Sequence, residues 1–483
     1  MTPLRLSRIA AMTGGTLRGV DVVVDALVTD TRALSAGGSA GSSVFVALKG
    51  ENFDGHDHVA AAAAGGVAAL LVAHPVDVDL PQLLVADTER ALAALAAALQ
   101  RERGTRVVAI TGSNGKTSVK ALVLSILQHA ASPEDVYANP GNRNNEIGLP
   151  LAVIDAPDSA LFAVYEMGAG KPGDIAYLTD IARPHVSLVN NIAPAHLERM
   201  GSLLAVAETK GAIYEALRSD GVAVINADDA FGSWFQQRLA TRGADAPRVI
   251  RFGLEAGTDV TAREIRSGPA GSRFVLVAPE GEIEISVAMP GRHNVLNALA
   301  AASIAIALEL PLPAIAAGLA AANAVAGRLV AHPLGNGAVL IDDSYNANPG
   351  SLNAAIEMLA SGRGEGGAWL VLGDMRELGD AAEAMHADAG RRAKAAGLTR
   401  LYTLGSLSAA AATAFGEGAA KFESHAALAE ALSSDLRTHA AAGLQVLVKG
   451  SRGSAMDRIV AAILADDSTV TGSIDTGEDT NAA

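Results

Sequence analysis

The chain has 483 residues, half of them hydrophobic and 4% aromatic, with no cysteine and a net charge of −15. This length exceeds one core, so two or three domains are expected, and the apolar content excludes a disordered chain. The acidic balance argues against nucleic acid as the main partner, and the lack of cysteine excludes disulfides and thiolate chemistry.

From the N-terminus, the opening MTPLRLSRIAAMTGG has no long apolar core and reads poorly as a signal peptide. Short β-like runs at Val20 to Val24 and Val44 to Leu48 come before an Ala-rich helix after His56. The weakly apolar stretch 59–73 is mostly alanine and contains Gly65 and Gly66, so it falls short of a membrane span. A cytoplasmic location is therefore expected. The run Leu83-Leu84-Val85 closes a first block, residues 1–85.

A second block, 86–326, opens with an amphipathic helix that has Thr88 as N-cap and Leu92, Leu95 and Leu99 on one face. Apolar runs at Val107 to Ile110, Phe162 to Val164, Val186 to Val189 and Val222 to Ile225 alternate with helical patterns. This predicts a parallel sheet with crossover helices. A third block, 327–467, repeats the alternation with strands at Val339 to Ile341, Trp369 to Leu372, Leu401 to Leu404 and Leu444 to Val448, a second doubly wound α/β unit. Residues 468–483 are polar and aperiodic and are expected to be a disordered tail.

The segment Thr111-Gly112-Ser113-Asn114-Gly115-Lys116-Thr117-Ser118 follows a buried-type strand and opens a helix. Glycines there let backbone N–H groups turn toward an anion, and the helix N-terminus adds partial positive charge. Lys116 can reach terminal phosphates and Thr117 can ligate magnesium. The spacing departs from GxxxxGK[ST] because position 110 is Ile, yet Gly-Lys-Thr in this context is not an ordinary turn. Gly362, Gly364 and Gly367 match GxGxxG literally, but they come before a strand instead of following one, so they are read as a loop and not as a dinucleotide site.

Glu166 and His196 follow successive predicted strands and would face the phosphate loop. Each alone is an ordinary loop residue, while the pair at successive strand ends favours metal ligation. Lys210, read without further information, is a solvated helix lysine.

These motifs, taken together with several others, resemble the Mur ligases over nearly the whole chain except the tail. The others are Thr29-Asp30-Thr31-Arg32, residues 44–50 with Phe53-Asp54-Gly55-His56, residues 141–148, residues 291–298, Gly327-Arg328, residues 342–349, residues 372–379 and Lys449-Gly450-Ser451-Arg452. The resemblance implies a three-domain α/β architecture: a UDP-sugar-binding first domain, a P-loop ATPase centre and a Rossmann-like third domain. It implies an ATP- and magnesium-dependent ligase joining D-alanyl-D-alanine to UDP-N-acetylmuramoyl-tripeptide through an acyl phosphate, in peptidoglycan precursor synthesis, and acting as a monomer.

The resemblance also implies individual roles. Lys116, Glu166, His196, Lys210 and Arg328 would be catalytic. Thr117 and Glu166 would hold one magnesium, and His196 and a carbamylated Lys210 another. Nucleotide contacts would come from residues 112–118 with Asn294, Asn297, Arg328 and Asp343. Asp30, Thr31, Arg32, Lys49 and His56 would meet the UDP-sugar, Asn142, Asn144 and Asn145 the sugar or peptide, and Asn346, Asn348 and Arg376 the dipeptide. The bland readings are turn chemistry for each asparagine and solvated surface for an isolated Arg or Asp. Ala193 and Ser118 stand where the family pattern carries Gly and Thr. A diamino-acid-adding relative would carry Asp-Asn-Pro-Arg, which is absent here. A folate polyglutamate ligase would lack the first domain, and a non-catalytic P-loop scaffold would have lost Glu166, His196 or Lys210.

Overall fold

The computed structural model describes all residues except 37–39, 51, 195–196, 256, 269–270, 363–365, 440–442 and 475–483. His196 and Gly364 lie outside the described residues.

A five-stranded sheet near the N-terminus has the order Thr16–Arg18, Gln82–Leu84, Ala69–Val72, Ser43–Val46, Ala26–Val28. It is parallel apart from the pairing of Thr16–Arg18 with Gln82–Leu84. Ser43–Val46 and Ala69–Val72 are buried throughout, which explains their unbroken apolar runs. The helix after His56 covers only Val59–Ala64, preceded by a 3₁₀ turn at Gly55–His58. The next helix, Thr88–Glu102, is capped by Asp87, whose carboxylate accepts from the Glu89 and Arg90 amides, and not by Thr88 as expected. Thr88 is instead buried, with its hydroxyl donating to the Ala47 carbonyl at 2.9 Å. Asp is the stronger cap, and Thr88 serves the packing between the first sheet and this helix.

The central sheet is six-stranded and parallel, in the order Val136–Ala138, Phe162–Glu166, Arg106–Thr111, Val186–Val189, Val222–Asn226, Arg248–Phe252. Arg106–Thr111 is flanked on its two sides by later strands, which makes its C-terminal end a switch point where ligands bind. Ile110 pairs with Glu166 and Thr111 with Val189, so the phosphate loop and the Glu166 carboxylate leave the sheet side by side. The helix Lys116–Ala130 packs against Leu312–Ala321, where a Cβ on Gly318 would lie 2.4 Å from the Ile126 Cα. Only glycine allows that approach. A three-stranded antiparallel meander, Thr261–Gly268, Gly271–Ala278 and Gly281–Val287, follows the parallel sheet and was not anticipated from the sequence.

The third sheet has the order Val330–Pro333, Val339–Asp343, Gln445–Lys449, Ala368–Gly373, Arg400–Leu404, Ala419–Phe422. Only the edge strand Val330–Pro333 is antiparallel. The last helix runs Asp457–Ile474, so the tail expected from Ser468 is helical for a further turn or more. A helix anchored by buried Met456, Ile459, Val460 and Ile463 propagates at little cost into weak helix formers. Residues 475–483 lie outside the described residues.

The cores divide unevenly. One apolar cluster runs from Leu4 through Leu95, Ala109 and Tyr165 to Leu239, welding the first sheet to the central one. The two clusters on either face of the third sheet draw only on residues from Leu329 onward.

Candidate active site

The phosphate loop turns sharply at Gly115 (φ +77°), where a Cβ would lie 2.5 Å from Asn190 Nδ2 and 2.6 Å from Asn297 Oδ1. Positive φ and contact with two amides leave glycine as the fitting residue. The loop is braced by asparagines that follow the strand Val186–Val189. Asn190 Nδ2 donates to the Asn114 carbonyl and to Asn297 Oδ1, both at 3.0 Å, and the Asn114 amide donates to Asn191 Oδ1 at 2.9 Å. Ser113 Oγ donates to the Ala193 carbonyl and accepts from its amide, so alanine serves where the family pattern has glycine.

Lys116 Nζ donates to the Gly112 carbonyl at 2.8 Å, which folds the side chain back over the loop. Thr117 Oγ1 donates to Glu166 Oε2 at 2.9 Å and accepts from Arg328 Nη2 at 2.9 Å. Asn144 Nδ2 donates to the other Glu166 oxygen at 3.1 Å. Burial pushes the Glu166 carboxyl up, but Lys116, Lys120, the Thr117 hydroxyl and Arg328 outweigh it and hold the group below its usual value. Burial pushes Lys116 down, with Arg328 adding to this and Glu166 opposing it. Lys210 is 2% exposed, and burial assisted by Lys116 brings its ammonium down to about 7.

The third sheet closes the site from above. Arg328 lies 4.5 Å from the Tyr345 ring centroid, Arg452 packs over the same ring at 5.3 Å, and Arg328 Nε is buried without a hydrogen-bond partner among the described residues. Asn348 Nδ2 donates to Asn114 Oδ1 at 2.7 Å, tying the start of the helix Pro349–Gly362 to the phosphate loop. Asp343 and Lys449, at the ends of adjacent parallel strands, form a buried ion pair at 2.5 Å. Together these groups line a cavity of about 830 Å³.

Residues 110–305 match the profile of the Mur ligase middle domain, and residues 327–452 that of the Mur ligase, glutamate ligase domain. Over 466 residues the chain is 42% identical to the UDP-N-acetylmuramoyl-tripeptide–D-alanyl-D-alanine ligase of Escherichia coli, covering 96% of this chain and 99% of that protein. The chain belongs to the Mur ligase family. Among solved structures, MurF from Acinetobacter baumannii matches with a TM-score of 0.89 at 32% identity, covering 96% of this chain and 99% of that one. The MurF ligase of Thermotoga maritima in complex with ADP matches with a TM-score of 0.79 at 26% identity, covering 92% and 99%.

In this Mur ligase, the expected residues 112–118, Asn142, Asn144, Asn145, Glu166, Lys210, Asn294, Asn297, Arg328, Asp343, Asn346 and Asn348 all line the cavity. Asn294 and Asn297 share one helix face and bond to each other at 3.1 Å, and Asn294 is not the helix cap, because Gly291 holds that position. The bland reading holds in part for Asn145, whose side chain accepts from the Gly148 amide, and for Asn348, which also accepts from the Ser351 amide.

Asp30, Thr31, Arg32, Lys49, His56 and Arg376 do not line this cavity. Asp30 and Arg32 pair with each other on the surface, and Asp54 is flanked by His56 at 2.6 Å and Lys49 at 3.3 Å. All five N-terminal residues lie on the first unit and none lines the phosphate-loop cavity. Arg376 is exposed, its backbone amide donating to Ser451 Oγ.

Sequence reasoning missed Lys120, Asn139, Asn190, Tyr345 and Lys449. Helical spacing could have found Lys120, one turn beyond Lys116 on the same face. Tyr345 and Lys449 lie inside the family motifs but were given no role, while Asn139 and Asn190 are brought in by sheet topology and leave no local signal.

Proposed function

We infer that the chain is an ATP-dependent ligase adding D-alanyl-D-alanine to UDP-N-acetylmuramoyl-tripeptide in peptidoglycan precursor synthesis. The carrying observation is the chain of contacts Glu166–Thr117–Arg328, which joins a P-loop to a closing third unit at the switch point. Identity of 42% to a ligase of that name along nearly the whole chain supports the substrates.

The chemistry follows from the charges. A terminal peptide carboxylate oxygen attacks the γ-phosphorus of ATP, the bond to the bridging oxygen breaks, and ADP leaves with its electron pair. The dipeptide amine then attacks the acyl carbon and loses a proton, and the carbon–oxygen bond to phosphate breaks. Lys116 and Arg328 stabilise negative charge as it moves across the transferring phosphoryl group. The unpartnered Arg328 Nε suits this role, because a phosphate oxygen would satisfy a buried donor.

Thr117 and Glu166 present a hydroxyl and a carboxylate oxygen 2.9 Å apart, hard donors that suit magnesium with water and phosphate completing its shell. When bound, magnesium neutralises phosphate charge between donor and acceptor. Asn294, Asn297 and Asp343 contact the nucleotide. Asn142, Asn144 and Asn145 contact the tripeptide substrate, and Asn346 and Asn348 the dipeptide side. Asp30, Thr31, Arg32, Lys49 and His56 hold the UDP end on residues 1–85, the centre is 86–326, and the closing unit is 327–467. No described helix is long and apolar enough to cross a membrane; the use of ATP and a UDP-linked substrate supports a cytoplasmic reaction.

Lys210 fits carbamylation. At about 7 its amine is neutral in a large enough fraction to attack carbon dioxide, losing a proton and becoming an anion beside Lys116. Lys210→Ala is expected to lose activity that added bicarbonate partly restores. Full activity without bicarbonate overturns the carbamate role.

The function itself is tested by phosphate release with ATP, magnesium, UDP-muramoyl-tripeptide and D-alanyl-D-alanine, each omitted or swapped in turn. Release that needs both the tripeptide and the dipeptide is expected. Release with a single amino acid in place of the dipeptide overturns the assignment.

A further inference from the structure

Lys120 lies one turn below Lys116 on the phosphate-loop helix, 7% exposed and absent from the cavity wall. Its ammonium sits 3.5 Å from Glu166 Oε2, and donates to the carbonyls of Asn139 at 3.2 Å and Gly141 at 3.5 Å. Asn139 in turn brackets the Glu166 backbone, its Oδ1 accepting from the Glu166 amide and its Nδ2 donating to the Glu166 carbonyl and to the Arg143 carbonyl. Asn144 completes the loop by donating to Glu166 Oε1. One buried cation thus touches the nucleotide-side carboxylate and the root of the loop that carries Asn142, Asn144 and Asn145.

A charge buried this deeply persists only when paired, and Glu166 is its one carboxylate partner among the described residues. A helix needing only to pack against the sheet would carry an apolar residue here, as its neighbours Val119, Leu122 and Val123 do. We propose that Lys120 is a positioning residue coupling the phosphate loop to the carboxylate-substrate loop, so that Glu166 and the acceptor asparagines hold one mutual geometry. This rests on the reading of residues 142–145 as tripeptide contacts.

The test is K120M, which keeps the length and removes the ammonium, beside K120Q, which keeps a donor for the Asn139 carbonyl but no charge. Tripeptide-nucleotide affinity and ADP affinity are measured calorimetrically, with steady-state KM for each substrate. Losing a charge-assisted anchor should raise the tripeptide KM of K120M by about tenfold or more while ADP affinity moves less than about threefold, with K120Q in between.

Equal losses for both ligands, or none, overturn the proposal, and so does failure of both variants to fold, which would make Lys120 a purely structural residue. If the wild-type protein itself binds no tripeptide nucleotide, it is the ligase reading that fails, a result visible before any variant is made.

Discussion

Glu166 takes a hydrogen bond on each carboxylate oxygen and faces three cations, Lys116 and Lys120 from the phosphate-loop helix and Arg328 from the third unit. Its amide replacement keeps the shape and loses the charge. Glu166→Gln should therefore lower kcat by about 10²–10³-fold in the folded protein, the scale of a lost electrostatic stabiliser, and also lower stability by leaving buried Lys120 without its carboxylate. Arg328→Lys tests geometry at constant charge. Lysine has no planar face to lie on Tyr345 and no fork to span Thr117 and a phosphate, so a loss of at least about 10²-fold is expected in the same assay. Both residues were legible in the sequence, Glu166 as a carboxylate after an apolar run and Arg328 only through family resemblance. Lys120 went unread because a lysine in a helix is ordinarily solvated: its spacing puts it on the Lys116 face, but its burial under Asn139 comes from sheet topology. Asn190 was invisible for a similar reason, its role being fixed by strand order and not by neighbours in the chain.

At the scale of elements, the phosphate loop was readable because strand, turn and helix start are contiguous and each obeys its own rule. Gly115→Ala should abolish ADP binding in calorimetry while leaving the far-UV spectrum intact, since the added methyl meets Asn190 and Asn297 where φ is already positive. The helix Arg292–Ala307 carries His293 in its first turn, where burial and Lys449 push the imidazole down to about 4. The unfolded chain binds that proton below about pH 6.5, so this contribution to stability is present above 6.5 and is lost as pH falls toward 4. His293→Asn should accordingly flatten the acid limb of urea stability between those values. The antiparallel meander was missed although Gly281–Val287 alternates glutamate with apolar residues, a clear period of two. The repeating strand–helix rhythm on either side of it drew the reading toward parallel sheet alone. The disordered tail failed differently, because composition does not register that a well-anchored helix can run on into polar residues.

For the whole molecule, the division of cores sets what can move. The first and central units share one apolar cluster, while the third keeps its own, so its link to the rest rests largely on polar contacts such as Arg328 to Thr117 and Asn348 to Asn114. Contacts of that kind cost little to break compared with a shared core. Asn348→Ala should raise the fraction of open molecules, seen as a larger radius of gyration by X-ray scattering, with added ADP shifting the wild type less than the variant. Which units exist was legible from motif order, but which two are fused and which one hinges depends on where side chains meet across long stretches of chain. Thr117 makes the hinge consequential. Its hydroxyl has one proton, given to Glu166, and its oxygen receives Arg328 from the opposite unit. A metal drawn to that oxygen must compete with a guanidinium carried by the moving part, so loading the reactants and shifting Arg328 from Thr117 toward phosphate become one event. A neutral compound wedged between Thr117 and Arg328 would prop the jaw ajar and stop turnover without contacting a single reacting atom.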